Sequence, residues 1–319
     1  MIVTLIPFFV AANITANVGD WKNGPEIIYD AKIDYLNYPL NKLNRTFVDN
    51  FTMKFQCRPK TESSLSCVIR EPVTSSIVLV NGVENRSKVY SEPYIVDKDR
   101  MGRAFELDFN NHGLGEIVVD KPFADQFMID TVKALAEQLN IGADMPSIPL
   151  NVFSILENST TGQCETDFVY KSDRLGNNVE KEKKNPYEIV IVPTMRQVLR
   201  GEVKEIKKTV SANKCPYRYQ YFDSEWQEIS KTLKERTDPP QFAHESELKS
   251  SKSRITIMES NFTSSTEDVL IVTDQKRKSM TRRVKKTKIT LHAIVPAEGP
   301  LPKIDNPTTV NRFSRERLR

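Results

Sequence analysis

Apolar and polar positions alternate along most of this chain. Between Arg45 and Cys57, Phe47, Phe51, Met53 and Phe55 share one parity, with Asp49 as the polar exception. Phe105, Leu107 and Phe109 repeat the pattern, as do Ile289, Leu291, Ala293 and Val295. A period of two turns one side of a strand to a core and the other to water. Runs of strand length also open at Trp21, Ser66, Ser75, Glu116, Phe153, Glu165, Glu188, Val203, Tyr217, Arg254 and Asp268. The run from Ser75 to Val80 closes on an Asn81–Gly82 turn signal. Residues 84–103, 171–185 and 237–248 read as loops, and Trp226 to Arg236 permits a short helix.

One stretch departs from alternation. Over residues 122–140, Met128, Val132, Leu135 and Leu139 recur at helical spacing, with Phe127 and Ala136 beside them. Asp125, Asp130, Lys133 and Glu137 fall outside that stripe. Asp120 suits an N-cap, Pro122 the first turn and Gly142 the end. The pattern predicts a mainly β fold of about a dozen strands with one amphipathic helix, which must bury its stripe against a sheet. Strands in such number close into a barrel or pack as a sandwich.

Length and composition add limits. The 319 residues, 39% of them hydrophobic, allow one large β domain or two smaller ones. The formal net charge of +4 hides an asymmetry: residues 271–319 hold 13 Lys/Arg against 4 Asp/Glu, while the rest holds 33 against 38. A basic end on a mildly acidic body points to an anionic partner. Residues 1–18 are uncharged and apolar from Ile2 to Ala12, and read as a secretory signal peptide without a basic start. No stretch is long enough to make a transmembrane segment.

The four cysteines fit an exported chain. Cys57 and Cys67 sit on two strand-like runs joined by a polar turn, which suits a cross-hairpin disulfide and leaves Cys164 with Cys215; four cysteines still allow three pairings. Sequons at Asn44, Asn50, Asn85, Asn158 and Asn261 are glycosylation candidates.

The motifs of familiar chemistry are missing. There is no G-x-S-x-G, no P-loop and no H-E-x-x-H, and the three histidines lie far apart in sequence. The chain is therefore expected to be non-enzymatic and to carry no cofactor and no metal. A basic run stands out: Lys276, Arg277, Lys278, Arg282, Arg283, Lys285, Lys286 and Lys288. It can attract acidic protein modules, nucleic acid, heparin-like chains or anionic lipid, although no interleaved aromatics support nucleic-acid stacking. Arg312 and Arg315 form an R-x-x-R spacing that resembles a processing site.

Five co-linear features then point to a family. They are Trp21, Gly24, Glu26 and Tyr29; His112-Gly113 before the Glu116–Val119 strand and a helix ending in Leu139; and Gly162-Gln-Cys164-Glu165. Lys214-Cys215 with Tyr217, Tyr219 and Phe222 follows, and then Ser253-Arg254-Ile255 with Glu259-Ser260. Together they resemble the N-terminal β-barrel domain of vitellogenin, in the large lipid transfer protein family, with the insect forms nearest. The resemblance covers residues 21–295 and implies a large antiparallel barrel of about eleven strands around one central helix. Residues 19–295 would form that barrel, and 296–319 an irregular basic tail. It also implies a Cys164–Cys215 disulfide and a secreted lipid-transport and yolk-storage role. The expected partner is a low-density-lipoprotein-receptor-like egg receptor, whose acidic repeats would meet the basic run. Family members continue past the equivalent of Arg319 into the regions that enclose lipid, so lipid is expected only through regions absent here.

Overall fold

The computed structural model describes residues 1–14, 21–40, 45–80, 83–84, 91–95, 102–110, 112–121, 126–142, 151–160, 162–174, 187–192, 196–218, 244–274 and 279–312. The strands run, in order, β1 Ile2–Ile6, β2 Val10–Ile14, β3 Pro25–Pro39, β4 Arg45–Pro59, β5 Ser64–Val80, β6 Val83–Glu84, β7 Ser91–Ile95, β8 Phe105–Asn110 and β9 Gly113–Asp120. One helix follows, α1 Gln126–Gln138. Then come β10 Val152–Ser159, β11 Gly162–Arg174, β12 Tyr187–Ile191, β13 Arg196–Gln197, β14 Glu202–Val210, β15 Tyr217–Arg218, β16 His244–Ile257, β17 Phe262–Asp274, β18 Ser279–Pro296 and β19 Pro307–Arg312.

Eleven strands form a closed ring in the order β10-β11-β14-β16-β17-β18-β3-β4-β5-β8-β9. Neighbours are antiparallel except at the seam, where β9 meets β10 through one parallel bridge, Gly113 to Asn158. Alternation builds the wall. Ile27, Tyr29, Ala31 and Ile33 of β3 and Phe51, Met53, Phe55 and Cys57 of β4 all point into the core. The polar exception Asp49 accepts hydrogen bonds from Ser76 Oγ at 2.5 Å and Asn37 Nδ2 at 3.4 Å. The runs expected at Ser66 and Ser75 are one strand of 17 residues, β5, interrupted by a bulge. Glu71 takes a positive φ of 52° there, which lets two residues oppose one without ending the strand.

The helix is shorter than its sequence pattern, with 13 residues, and residues 122–125 lie outside the described set. It packs most closely on β18, β17 and β9. Ile129, Val132, Leu135 and Leu139 are fully buried, but so, nearly, are Asp130, Lys133 and Glu137, which fall outside the apolar stripe. The wall explains the burial of Glu137, because it turns a charged side chain of its own toward the helix, Lys208, which pairs with it. Burial lowers the Lys133 pKa, with Asp130 of the same helix opposing the shift and the like charge of Lys285 adding to it. Phe127, placed beside the apolar stripe, is exposed and lies 5.3 Å from the Phe51 ring. Asp120 precedes the start of the described helix by six positions, and the residues it would cap lie outside the described set. It ends β9, where its carboxylate accepts the Asn306 backbone N–H at 3.1 Å.

The first and last described elements are strands. The leader-like residues form the β1–β2 hairpin, in a four-stranded sheet ordered β1-β2-β12-β13. Leu5, Ile6, Phe9 and Val10 join the same core as the barrel, and Tyr29 donates its hydroxyl to the Leu5 carbonyl at 3.4 Å. The tail read as irregular contains β19, which pairs with β9 and buries Val310. Arg58 ties the segment before it to the barrel through the Gly299 and Pro300 carbonyls, at 2.8 and 2.9 Å. No helix among the described residues is long and apolar enough to cross a membrane.

Candidate functional site

Strand parity divides the basic run. Lys276, Arg277 and Lys278 lie outside the described residues. On β18, Arg282, Lys286 and Lys288 are exposed, whereas Lys285 is 3% exposed and Arg283 half-buried. Lys285 Nζ sits 3.0 Å from the buried Asp268 carboxylate. Arg283 donates to Asn37 at 2.5 Å, and burial lowers its pKa from the usual guanidinium value. Eight cations close in sequence are thus not one surface. Arg282 stands 5.4 Å over the Tyr38 ring, a cation–π contact on the outer face.

Register supplies other cations that the linear sequence keeps apart. Lys288 lies opposite Lys32 of β3 on one side and Ser265 of β17 on the other. Ser265 pairs with Arg254 of β16, and Arg254 with Lys207 of β14. The four cations therefore stand in one row running across five strands. Lys252 and Lys286 flank it in a shallow groove. Carboxylates partly offset the row: Asp34 lies 2.9 Å from Lys32, Glu267 3.2 Å from Lys286, and Glu205 pairs with both Lys207 and Arg254. Those contacts hold the Glu205 carboxyl below its usual pKa against the opposing effect of burial. The sequence signal for the row was present only in pieces, as the Lys252/Arg254 and Lys286/Lys288 spacings of two.

A second polar cluster lies inside. Lys208 Nζ is 2.8 Å from Glu157 and 3.4 Å from Glu137, and donates to the Asn140 carbonyl at 2.9 Å. Burial pushes the Glu157 carboxyl up, with Lys208 opposing the shift. Asn140 ties the end of α1 to both strands of the seam. Its oxygen accepts the Leu114 N–H at 2.9 Å, and its amide donates to the Asn158 carbonyl at 2.9 Å. Gly142 donates its N–H to Glu157 at 3.0 Å. The seam is close: a Cβ on Gly113 would stand 2.5 Å from the Asn158 oxygen, and one on Gly142 2.3 Å from the His112 oxygen. This accounts for the His112-Gly113 pair, which serves strand closure through backbone.

Cys57 and Cys67 face one another across β4 and β5 and are bonded, with Cα atoms 4.1 Å apart. Cys164 of β11 is bonded to Cys215, beyond β14, with Cα atoms 4.0 Å apart. Among the sequons, Asn44 and Asn85 lie outside the described residues, and Asn50 and Asn261 are half-buried. Asn158 is buried, and its side-chain oxygen accepts from Gln163 at 3.1 Å. Arg312 closes β19 opposite Glu116, and Arg315 lies outside the described residues. No group of three potential metal ligands occurs among the described residues. His292 instead contacts Asp30 at 3.0 Å on the outer face.

No family model matches the sequence, and no curated protein matches it. In structure the chain is similar to lipovitellin, solved in a study of its lipid–protein interactions, with a TM-score of 0.55 at 12% identity. The likeness covers 90% of this chain and 27% of the lipovitellin chain, so this chain spans about a quarter of the length of the protein it matches. In fold, the chain is a vitellogenin-like N-terminal barrel.

Proposed function

We propose that this chain is the N-terminal barrel of a secreted, non-enzymatic lipid-transport and yolk-storage protein. The observation that carries the reading is the closed eleven-strand ring, whose likeness to lipovitellin extends over 90% of the chain. The five co-linear motifs support it. In this reading α1 is the central helix of the barrel. Export is supported by the two disulfides and the sequons.

The barrel's own task in this reading is recognition. Its exposed cations on β18 meet the acidic repeats of a low-density-lipoprotein-receptor-like egg receptor, where charge complementarity speeds encounter and sets specificity. Because Lys285 is enclosed and paired, the test belongs at Lys286 and Lys288. The double reversal Lys286→Glu/Lys288→Glu is expected to weaken binding to immobilised receptor repeats by about tenfold or more, seen by surface plasmon resonance. Unchanged binding would remove the receptor assignment. Lipid extraction from the native secreted product, with its intact mass and N-terminal sequence, tests the transport and export parts separately. A second reading is a free-standing barrel that binds acidic surfaces, nucleic acid or a pathogen envelope, without lipid cargo. The row of cations across five strands favours it.

A further inference from the structure

We propose that the outer face of β14, β16, β17, β18 and β3 binds a linear sulfated polysaccharide of the heparin class, laid across the strands. Adjacent strands lie about 4.8 Å apart, so the row Lys207, Arg254, Ser265, Lys288, Lys32 extends roughly 19 Å perpendicular to them. A stiff polymer with an anionic group every few ångströms matches such a row without bending. Lys252 and Lys286 broaden the track, and the Ser265 and Thr209 hydroxyls offer neutral donors to sugar oxygens.

Three features favour this occupant. Lys252 and Lys288 make no ion pair with any described residue, so their charges are free for a ligand. The ammonium groups of Lys32, Lys207 and Lys286 are about half exposed, and the Lys286–Glu267 pair is exposed on both sides, where an ion pair contributes little and exchanges readily for a denser anion. The groove has no aromatic lining residue, so nothing there stacks a nucleic-acid base. The inference rests on strand register and exposure and shares Lys286 and Lys288 with the receptor reading, whereas Lys207, Arg254, Lys252 and Lys32 belong to it alone.

The test uses the full chain and a heparin dodecasaccharide, followed by fluorescence anisotropy over a salt series. The row variant K32Q/K207Q/R254Q/K288Q is compared with K22Q/K60Q/K214Q/K249Q, which removes as many exposed charges elsewhere. The row variant is expected to bind about 30-fold more weakly at the lower salt, and its slope of log affinity against log salt should shrink by roughly one per cation removed. The control should stay within about twofold of the parent. K252Q/K288Q, which breaks no described ion pair, should weaken binding about tenfold by itself. Equal losses in row and control variants overturn the proposal. So does undiminished binding of desulfated heparin, or tighter row-dependent binding of single-stranded DNA of equal charge. A parent chain that binds receptor repeats but not heparin would sink only this inference, and one that binds heparin but not receptor repeats only the receptor assignment.

Discussion

Gly113→Ala is the most informative single change to the barrel seam. Gly113 has φ +114°, and an added Cβ would lie 2.5 Å from the Asn158 oxygen and 2.8 Å from Asn140 Oδ1. Three other glycines separate the causes. Gly24, at φ +82°, has open space around its Cβ position; Gly142 has only the close approach; Gly299 has neither. A non-glycine residue at positive φ costs about 1–2 kcal/mol. Forcing a methyl into a filled site costs about 1–3 kcal/mol, more where the obstacle is backbone. Alanine at a compatible glycine gains about 0.4–1 kcal/mol by restricting the unfolded chain. The expected losses are therefore about 1 kcal/mol at Gly24, about 2–3 at Gly142 and about 3–5 at Gly113, with no loss at Gly299. Guanidinium unfolding followed by far-UV circular dichroism measures the series, with the slope checked for constancy. If Gly113→Ala matched Gly299→Ala, or Gly142→Ala cost less than Gly24→Ala, the closure described here would be wrong.

Two further outcomes follow from buried charge. Lys208→Met leaves Glu137 and Glu157 buried without their cation and should cost about 3–5 kcal/mol, while Lys208→Met/Glu157→Gln should recover part of that; urea midpoints decide, and an additive double variant would argue against the ion-pair account. Glu202 pairs with Lys204 at 2.8 Å, and although burial opposes it, that pairing holds the Glu202 carboxyl at about 2, below its usual 4.5. A depressed acid contributes stability that is full above pH 4.5 and lost as pH falls toward 2, up to about 2–3 kcal/mol. Glu202→Gln should flatten the acid limb of the stability curve, and superimposable limbs would refute the pairing.

The sequence alone determined the class of this protein and the side of the wall on which most residues stand. Phe51, Met53 and Phe55 face the core because alternation leaves an apolar set only one place to go. The helix at Gln126–Gln138 was legible from its spacing, but the burial of Glu137 was not, because its partner Lys208 is distant in sequence. The tail at Pro307–Arg312 reads as irregular, yet it forms a strand where β9 offers an edge. Tertiary structure also decided the candidate site. Parity sent Lys285 inward and Lys286 outward, and register set Lys207, Arg254, Lys288 and Lys32 in one row. A chain records which face a residue takes locally, through its period, whereas neighbours across a sheet depend on how every strand between them is paired.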